Sequence, residues 1–449
     1  MKILIVTWYF PPANTIGAVR LGSWAQYLAE NGHGVRVLTA RELPFPQTLT
    51  QSTPEHWVVR TSWYDVDKPS QSIRRLMRRL PATSLRATPG RHTALAEPRD
   101  LADGRASRPS VKRFERMSRV YSEVVHFPDR QVGWLPYAVW QGRDLLRKWQ
   151  PDIIFASGPP FTTLVVARLL HNYSRQPLVV EFRDRWSDDP YYPPSKWRQM
   201  VERHLESWVV GGASALVTVS QPWEVAYREK FQKPTIAIYN GFDPDSGTDS
   251  PSCRASESEL IRILYTGSIY PGRRDPSPLF EALGLLGSTA AAINVEFYGT
   301  DERHVLPLAG EYGVTKLVKV FPPVPHAEAG HLQQRADVLL LMQWNNPKEQ
   351  GNIPGKFFEY LGTRRPILVL GLENGVPATI VRERSAGFFS NDPKEIAAQL
   401  QAWLNMKRSV GWIPSVPEGA RAGFTRRGQF ERLEHFLKGI SSSRRSGDG

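Results

Sequence analysis

One cysteine in 449 residues, Cys253, leaves no partner for an internal disulfide and no cysteine-rich metal site. A lone thiol fits a reducing, cytoplasmic address. Long hydrophobic runs are also lacking. The uncharged stretches at 153–167 and 207–223 are interrupted by Gly, Ser, Thr or Pro and fall short of the roughly 20 apolar residues that span a bilayer. The opening Met1-Lys2 and its apolar followers Ile3–Val6 imitate the start of a secretory leader. Pro11-Pro12 ends that run too early, however, and no small-residue cleavage site follows. A paired-carboxylate signature of the kind glycosidases use is likewise missing.

What is present suits a soluble globular chain. Hydrophobic residues make up 41% and charged residues 22%, which excludes disorder throughout. The length exceeds one core at roughly 100–200 residues per domain, so two or three domains are expected. Lys and Arg number 57 against 44 Asp and Glu, a net +13 that calls for an anionic partner. The surplus is local. Residues 68–119 hold 14 basic and four acidic side chains, so this segment alone carries +10. Within it, Ile73, Leu76, Met77 and Leu80 recur at helical spacing among Arg74, Arg75, Arg78 and Arg79, the pattern of a short basic amphipathic helix. A stretch rich in Ala, Arg, Pro and Gly follows at 81–110 and reads as a loop. Three readings of this insertion stand: a solvated excursion, a contact with an anionic membrane surface, or nucleic-acid binding. No aromatic platform is interleaved with the arginines, which weighs against the last.

Short apolar runs bounded by turn residues alternate with helical patterns along the whole chain. They lie at 2–7, 34–38, 57–61, 153–157, 178–182, 216–220 and 235–239, and again at 262–267, 294–299, 318–321, 338–342 and 366–370. Such alternation predicts an α/β fold with parallel, doubly wound sheets. Residues 243–260, rich in Asp, Ser, Pro and Glu, separate the two series. The expected division is therefore a Rossmann-like domain at 1–242 with the basic insertion 68–119, a linker at 243–260 and a second Rossmann-like domain at 261–424. Phe430, Leu433, Phe436 and Leu437 predict a helix at 425–440, before a disordered tail at 441–449. The two domains are expected to face a cleft and to bind ligands at the carboxyl ends of their strands.

Several strand ends carry chemistry. After the first, Gly17 opens a helix whose amide groups can accept an anion or let a sugar approach the backbone, or else the glycine serves only the geometry of the turn. The run at 178–182 ends in Arg183-Asp184-Arg185-Trp186, a charged cluster just past a buried strand. It is either a functional site or an ion pair that holds a loop. The run at 262–267 ends in the turn glycine Gly267, followed by Arg273 and Arg274, whose forks suit a diphosphate. After the run at 338–342 come Glu349, Gly351, Asn352, Gly355 and Lys356, then helical residues. A Gly/Pro loop opening a helix offers unpaired amides to phosphate, with Lys356 as a point charge. One turn into that helix, Glu359 can accept two ribose hydroxyl hydrogen bonds; the alternative is a solvated helix glutamate.

At these residues the sequence resembles the glycosyltransferases of the GT-B fold, family-4 type. The carriers are residues 3–12 with Gly17, Arg183-Asp184-Arg185-Trp186, Tyr239-Asn240-Gly241, Tyr265-Thr266-Gly267, and above all Pro354-Gly355-Lys356-Phe357-Phe358-Glu359-Tyr360-Leu361 followed by Arg365-Pro366-Ile367-Leu368. The last block is similar to the branch that builds surface polysaccharides and lipopolysaccharides. The resemblance implies transfer of a hexosyl or N-acetylhexosaminyl unit from a nucleoside-diphosphate sugar with retention of configuration, and neither cofactor nor obligatory metal. By it Glu359 holds the ribose, Gly17 lies near the diphosphate and transferred sugar, and the acceptor is a polyprenyl- or lipid-linked glycan. Asp184 is the candidate for orienting acceptor or sugar, with Arg183 beside it. Two departures stand out. Many members carry two glutamates with seven residues between them, whereas here Gly351 occupies the first place and Glu349 lies nearby. Many also carry Arg directly after the turn glycine and Lys five residues later, where this chain has Ser268 and Arg273; Lys356 can supply the missing charge.

Other classes share parts of this pattern. An epimerase or a phosphorylase has the same two-domain shape, but no pyridoxal-phosphate lysine is identifiable for the latter. A catalytically silent membrane-bound scaffold and a nucleic-acid-binding module complete the alternatives. Taken together, the charge and the resemblance place the expected site of action in the cytoplasm, peripheral at the inner face of the cell membrane.

Overall fold

A computed structural model of the chain describes residues 1–68, 121, 123–191, 194–244 and 260–445. The predicted basic helix, the insertion beyond Lys68, most of the 243–260 stretch and Cys253 lie outside the described residues. Two compact units emerge. The first comprises Met1–Thr218, Val225–Ile236 and Glu434–Gly449, the second Val219–Glu224 and Ala237–Leu433.

The first unit contains β1 (Lys2–Val6), β2 (Gly34–Ala40), β3 (Val58–Thr61), β4 (Ile153–Gly158), β5 (Leu178–Phe182), β6 (Ala215–Thr218) and β7 (Thr235–Ala237), in the order β3-β2-β1-β4-β5-β6-β7. The central strand β1 pairs in parallel with both β2 and β4, Ile3 lying opposite Val35 and Ile153. Residues Ile3–Val6 are completely buried, as a parallel strand covered on both faces must be. The strand order reverses between β1 and β4, the place where open α/β sheets take their ligands. The helix Ile16–Glu30 starts here because Thr15, in an extended conformation, accepts the Ala18 amide on its hydroxyl at 3.2 Å. It stops at Asn31-Gly32, where Gly32 takes φ +74°. Its Leu21, Trp24 and Leu28 are buried. Trp134, also buried, packs edge-on against Trp8 at 5.6 Å and donates its indole N–H to Thr61 Oγ1 at 2.6 Å.

The second unit contains β8 (Ile261–Thr266), β9 (Ile293–Tyr298), β10 (Val318–Phe321), β11 (Val338–Met342), β12 (Ile367–Leu370) and β13 (Gly387–Phe389), in the order β10-β9-β8-β11-β12-β13. Alternate residues of these strands feed two different cores. Ile263, Tyr265, Val338 and Leu340 face the helices Ser277–Leu286 and Pro393–Val410. Leu264, Leu339 and Leu341 face Phe357, Phe358, Tyr360 and Leu361 of the helix Lys356–Thr363. Here the order reverses between β8 and β11, which puts the residues after those two strands at the switch point.

The α/β fold with two doubly wound parallel sheets is as expected, with differences at the margins. The edge strand β13 was not expected, being only three residues long. It fits against β12 because Gly387, at φ +148°, has no side chain: a Cβ there would lie 2.1 Å from the Ile367 carbonyl oxygen. The final helix runs Arg426–Arg445 and so continues into the segment expected to be a disordered tail. Phe430, Leu433 and Leu437 are its buried apolar residues, and Glu434 ties it down within the first unit. One Glu434 oxygen accepts from Tyr27 Oη at 2.6 Å and the other meets His33 Nε2 at 2.8 Å. Among the described residues, no helix is long and apolar enough to cross a membrane.

Candidate functional site

In the first unit, the loops after β1, β4 and β5 bring Gly17, Arg183 and Asp184 to the switch point. Gly17 and Arg183 are neighbours: a Cβ on Gly17 would sit 2.2 Å from Arg183 Nη1, so the glycine makes room for the guanidinium. That group also donates to the Pro159 carbonyl and lies 5.8 Å from the centre of the Tyr9 ring. Its Nε is buried with no hydrogen-bond partner among the described residues. Burial lowers the Arg183 pKa from its ordinary value, against the attraction of Glu181 and Asp184. Asp184 is exposed, although crowding by protein raises its carboxyl and Arg183 opposes the rise.

Directly beneath lies a network that the sequence pattern did not reveal. Arg20, one turn into the helix Ile16–Glu30, donates from Nε at 3.0 Å and Nη2 at 2.7 Å to Glu181 Oε1. Ser157 donates to Glu181 Oε2 at 2.5 Å. Side-chain exposures of 3% and 1% for Arg20 and Glu181 make this a fully buried ion pair. Burial raises the Glu181 carboxyl, but Arg20 and Ser157 outweigh it and leave the group below its ordinary value. The one carboxylate thus neutralises Arg20 while facing Arg183. A glutamate inside an otherwise apolar strand run was the only signal in the sequence.

In the second unit, the turn after β8 meets the helix Lys356–Thr363. Gly267 takes φ +117°, and a Cβ there would lie 3.0 Å from Lys356 Nζ. Lys356 Nζ donates to the Thr266 carbonyl at 2.6 Å and sits 3.7 Å from the centre of the Tyr265 ring. Burial, helped by Arg274, lowers its pKa well below the ordinary value, so the ammonium is poorly solvated. A diphosphate laid on the Gly267 turn would meet this charge.

One turn further, Glu359 Oε1 is 3.1 Å from His326 Nε2, and Gln333 Nε2 reaches Oε2 at 3.4 Å. Gln333 also donates to Thr266 Oγ1 at 3.2 Å, while the Thr266 amide donates to Tyr360 Oη at 3.1 Å. These hydrogen bonds tie the ends of β8 and of two helices into one frame. Burial raises Glu359, but His326 and Gln333 outweigh it and hold the carboxylate below its ordinary value. His326 and Gln333 carried no motif and were missed.

The two arginines after Gly267 have different anchors. Arg273 lies over the Trp344 ring at 5.1 Å. Arg274, next to it in the turn, stacks on Tyr270 at 4.5 Å and donates to the Ser268 carbonyl at 2.8 Å. In the loop after β11, Glu349 is buried and accepts from Asn352 Nδ2 at 3.0 Å, while Gln343 Nε2 donates to the Asn352 carbonyl at 2.9 Å. Gly351, at φ +83°, has no room for a side chain, since a Cβ would lie 2.3 Å from Trp223 Cδ1. Gly355 forms the cap of the helix that begins with Lys356.

Comparison with known proteins bears on the fold. Residues 91–246 match the family model of Glycosyltransferase Family 4. No curated relative matches the chain by sequence. Among solved structures, the sucrose-phosphate synthase of Thermosynechococcus elongatus superposes with a TM-score of 0.62 at 13% identity, covering 99% of this chain and 100% of that one. HepE of Anabaena, solved with UDP and glucose, gives 0.57 at 15% identity over 98% and 100% of the two chains. WaaG, a glycosyltransferase involved in lipopolysaccharide biosynthesis, gives 0.54 at 14% identity over 96% and 98%. Over nearly its whole length the chain thus shares the two-sheet α/β fold of these structures, and residues 91–246 carry its match to Glycosyltransferase Family 4.

Proposed function

We propose that the protein transfers a sugar from a nucleoside-diphosphate sugar, with retention of configuration, to a lipid-linked glycan acceptor in the assembly of a surface polysaccharide. The observation that carries the reading is the cluster in the second unit. A poorly solvated ammonium at Lys356 stands against the Gly267 turn, and one helical turn away stands the ionised, doubly hydrogen-bonded carboxylate of Glu359. A cation and a carboxylate so spaced suit the two ends of a nucleoside diphosphate, phosphates at the first and ribose hydroxyls at the second. HepE, solved with UDP-glucose, supports a nucleotide-sugar donor for this chain as well.

The chemistry then needs little covalent help. As the bond to the anomeric carbon breaks, the leaving diphosphate gathers charge that Lys356 and Arg273 stabilise, while the acceptor hydroxyl attacks from the same face. Gly351, Asn352 and Gly355 form the loop against the donor, and Glu349 orients it from within through Asn352. In the first unit, Arg183 and Asp184 bind the acceptor, and Gly17 leaves the guanidinium its place. The +10 carried by residues 68–119 would hold the enzyme to an anionic inner leaflet, where lipid-linked acceptors reside.

The deciding experiment incubates the protein with UDP-, GDP- and TDP-sugars, with and without polyprenyl-linked acceptors, and scores nucleotide release and glycan extension. Release with one donor, increased by a lipid-linked acceptor, is the expected result. No release with any donor and acceptor would refute the assignment.

A further inference from the structure

The carboxylate assigned to the ribose is already held from two sides. His326 is the first residue of the helix His326–Arg335, and Gln333 lies two turns along the same helix, so both side chains lie on the face that meets Glu359. The two partners differ in surroundings. Gln333 is 2% exposed and is locked in place by its second bond to Thr266, whereas the His326 side chain is 73% exposed. Glu359 is thus gripped by a fixed amide on the inside and by an imidazole open to water on the outside.

A carboxylate offers two lone pairs on each oxygen. His326 uses one on Oε1 and Gln333 one on Oε2, which leaves one on each oxygen for two neighbouring hydroxyls. With both oxygens anchored, the carboxylate plane cannot turn, and a vicinal diol meets two acceptors already set for it. We propose that His326 is a positioning residue for donor binding, holding Glu359 in the plane that accepts both ribose hydroxyls. The inference rests on the reading of Glu359 as the ribose acceptor and adds a residue that reading does not contain.

The surroundings of His326 make the effect depend on pH. Three charged groups bear on the imidazole: Glu359, Arg426 and Asp243, the last two paired with each other at 3.0 Å. The hydrogen bond with Glu359 raises the His326 pKa above its ordinary value, against burial. The charge-assisted bond is therefore complete while the ring is protonated, and it weakens as pH rises through the raised value. Donor affinity follows the same course, stronger below that pH and weaker above it.

The test is titration calorimetry of the full-length protein with UDP and GDP and with their 2′,3′-dideoxy analogues, from pH 5.5 to 8.5. His326→Ala should weaken binding of the better ribonucleotide about 5–20-fold at pH 6, a range set by one charge-assisted hydrogen bond discounted for exposure. His326→Gln should restore most of the affinity while removing the pH dependence. Neither variant should change affinity for the dideoxy analogue, a distinction that a merely structural role would not produce. Equal losses for both nucleotides, or no loss for either, would overturn the proposal. Glu359→Gln separates the two layers. If it weakens ribonucleotide binding and His326→Ala does not, the ribose reading stands and the positioning role falls. If Glu359→Gln has no effect, or if neither ribonucleotide binds, the ribose reading falls and the proposal with it.

Discussion

The buried pair Arg20–Glu181 gives the sharpest test of how the first unit is held together. Arg20→Met keeps much of the side-chain volume but removes both hydrogen bonds on Glu181 Oε1 and the cation that balances the carboxylate. Removing one partner of a buried ion pair costs about 3–5 kcal/mol, because the other charge stays buried without compensation. Ser157 still donates to Oε2, and Arg183 still bears on Glu181, which places the expected loss near the low end, about 3 kcal/mol. Hydrogen–deuterium exchange of peptides covering β1, β4 and β5 reads this locally, alongside urea unfolding of the whole chain. At 1.4 kcal/mol per tenfold, those amides should exchange about 100-fold faster in the variant. The double variant Arg20→Met/Glu181→Leu, which replaces the pair by apolar groups, should return to within about 1 kcal/mol of wild type. Exchange within about threefold of wild type in Arg20→Met would refute the argument, since a carboxylate left alone in that strand must be expensive. A double variant as unstable as the single one would show that packing, not charge, is what Arg20 supplies.

Two further predictions follow from charges held away from water. A diphosphate beside Lys356 favours its ammonium and raises the depressed pKa, so nucleotide binding at alkaline pH should take up protons. Calorimetry in buffers of different ionisation enthalpy should show that uptake and Lys356→Met should abolish it; heats independent of buffer in the wild type would count against a phosphate contact. At the other end of the chain, burial raises Glu434, but Lys438, Tyr27 and His33 outweigh it and hold the carboxyl at about 2, against an ordinary 4.5. The folded value lies below the unfolded one, so its contribution is complete above about pH 4.5 and is lost as pH falls towards 2. Glu434→Gln should therefore lower the urea midpoint at pH 7, by the equivalent of about 1–3 kcal/mol, and by much less at pH 2.5. An equal shift at both pH values would mean that the carboxylate's charge is not what anchors the final helix.

Much of the framework could be read from the chain because buried parallel strands leave a one-dimensional trace. The runs at 178–182, 318–321 and 338–342 coincide residue for residue with β5, β10 and β11. A strand covered on both faces is mostly apolar, as β11 is throughout and β5 is but for Glu181, and the turn that ends it favours Gly, Pro or a polar residue. Contiguous candidates were equally visible: the run from Gly355 through Lys356 to Glu359 does open a helix whose side chains gather at the end of β8. What escaped was long-range. Glu181 finds Arg20 across 161 positions, and Glu359 finds His326 across 33, with no periodicity linking either pair. Nothing in the chain distinguishes Gly17 as the residue over which Arg183 lies, or His33 as a partner of Glu434. Composition and period act on neighbours along the chain and so prescribe elements. Which buried charge meets which, and hence which groups stay ionised, depends on where the packed sheets bring distant strand ends.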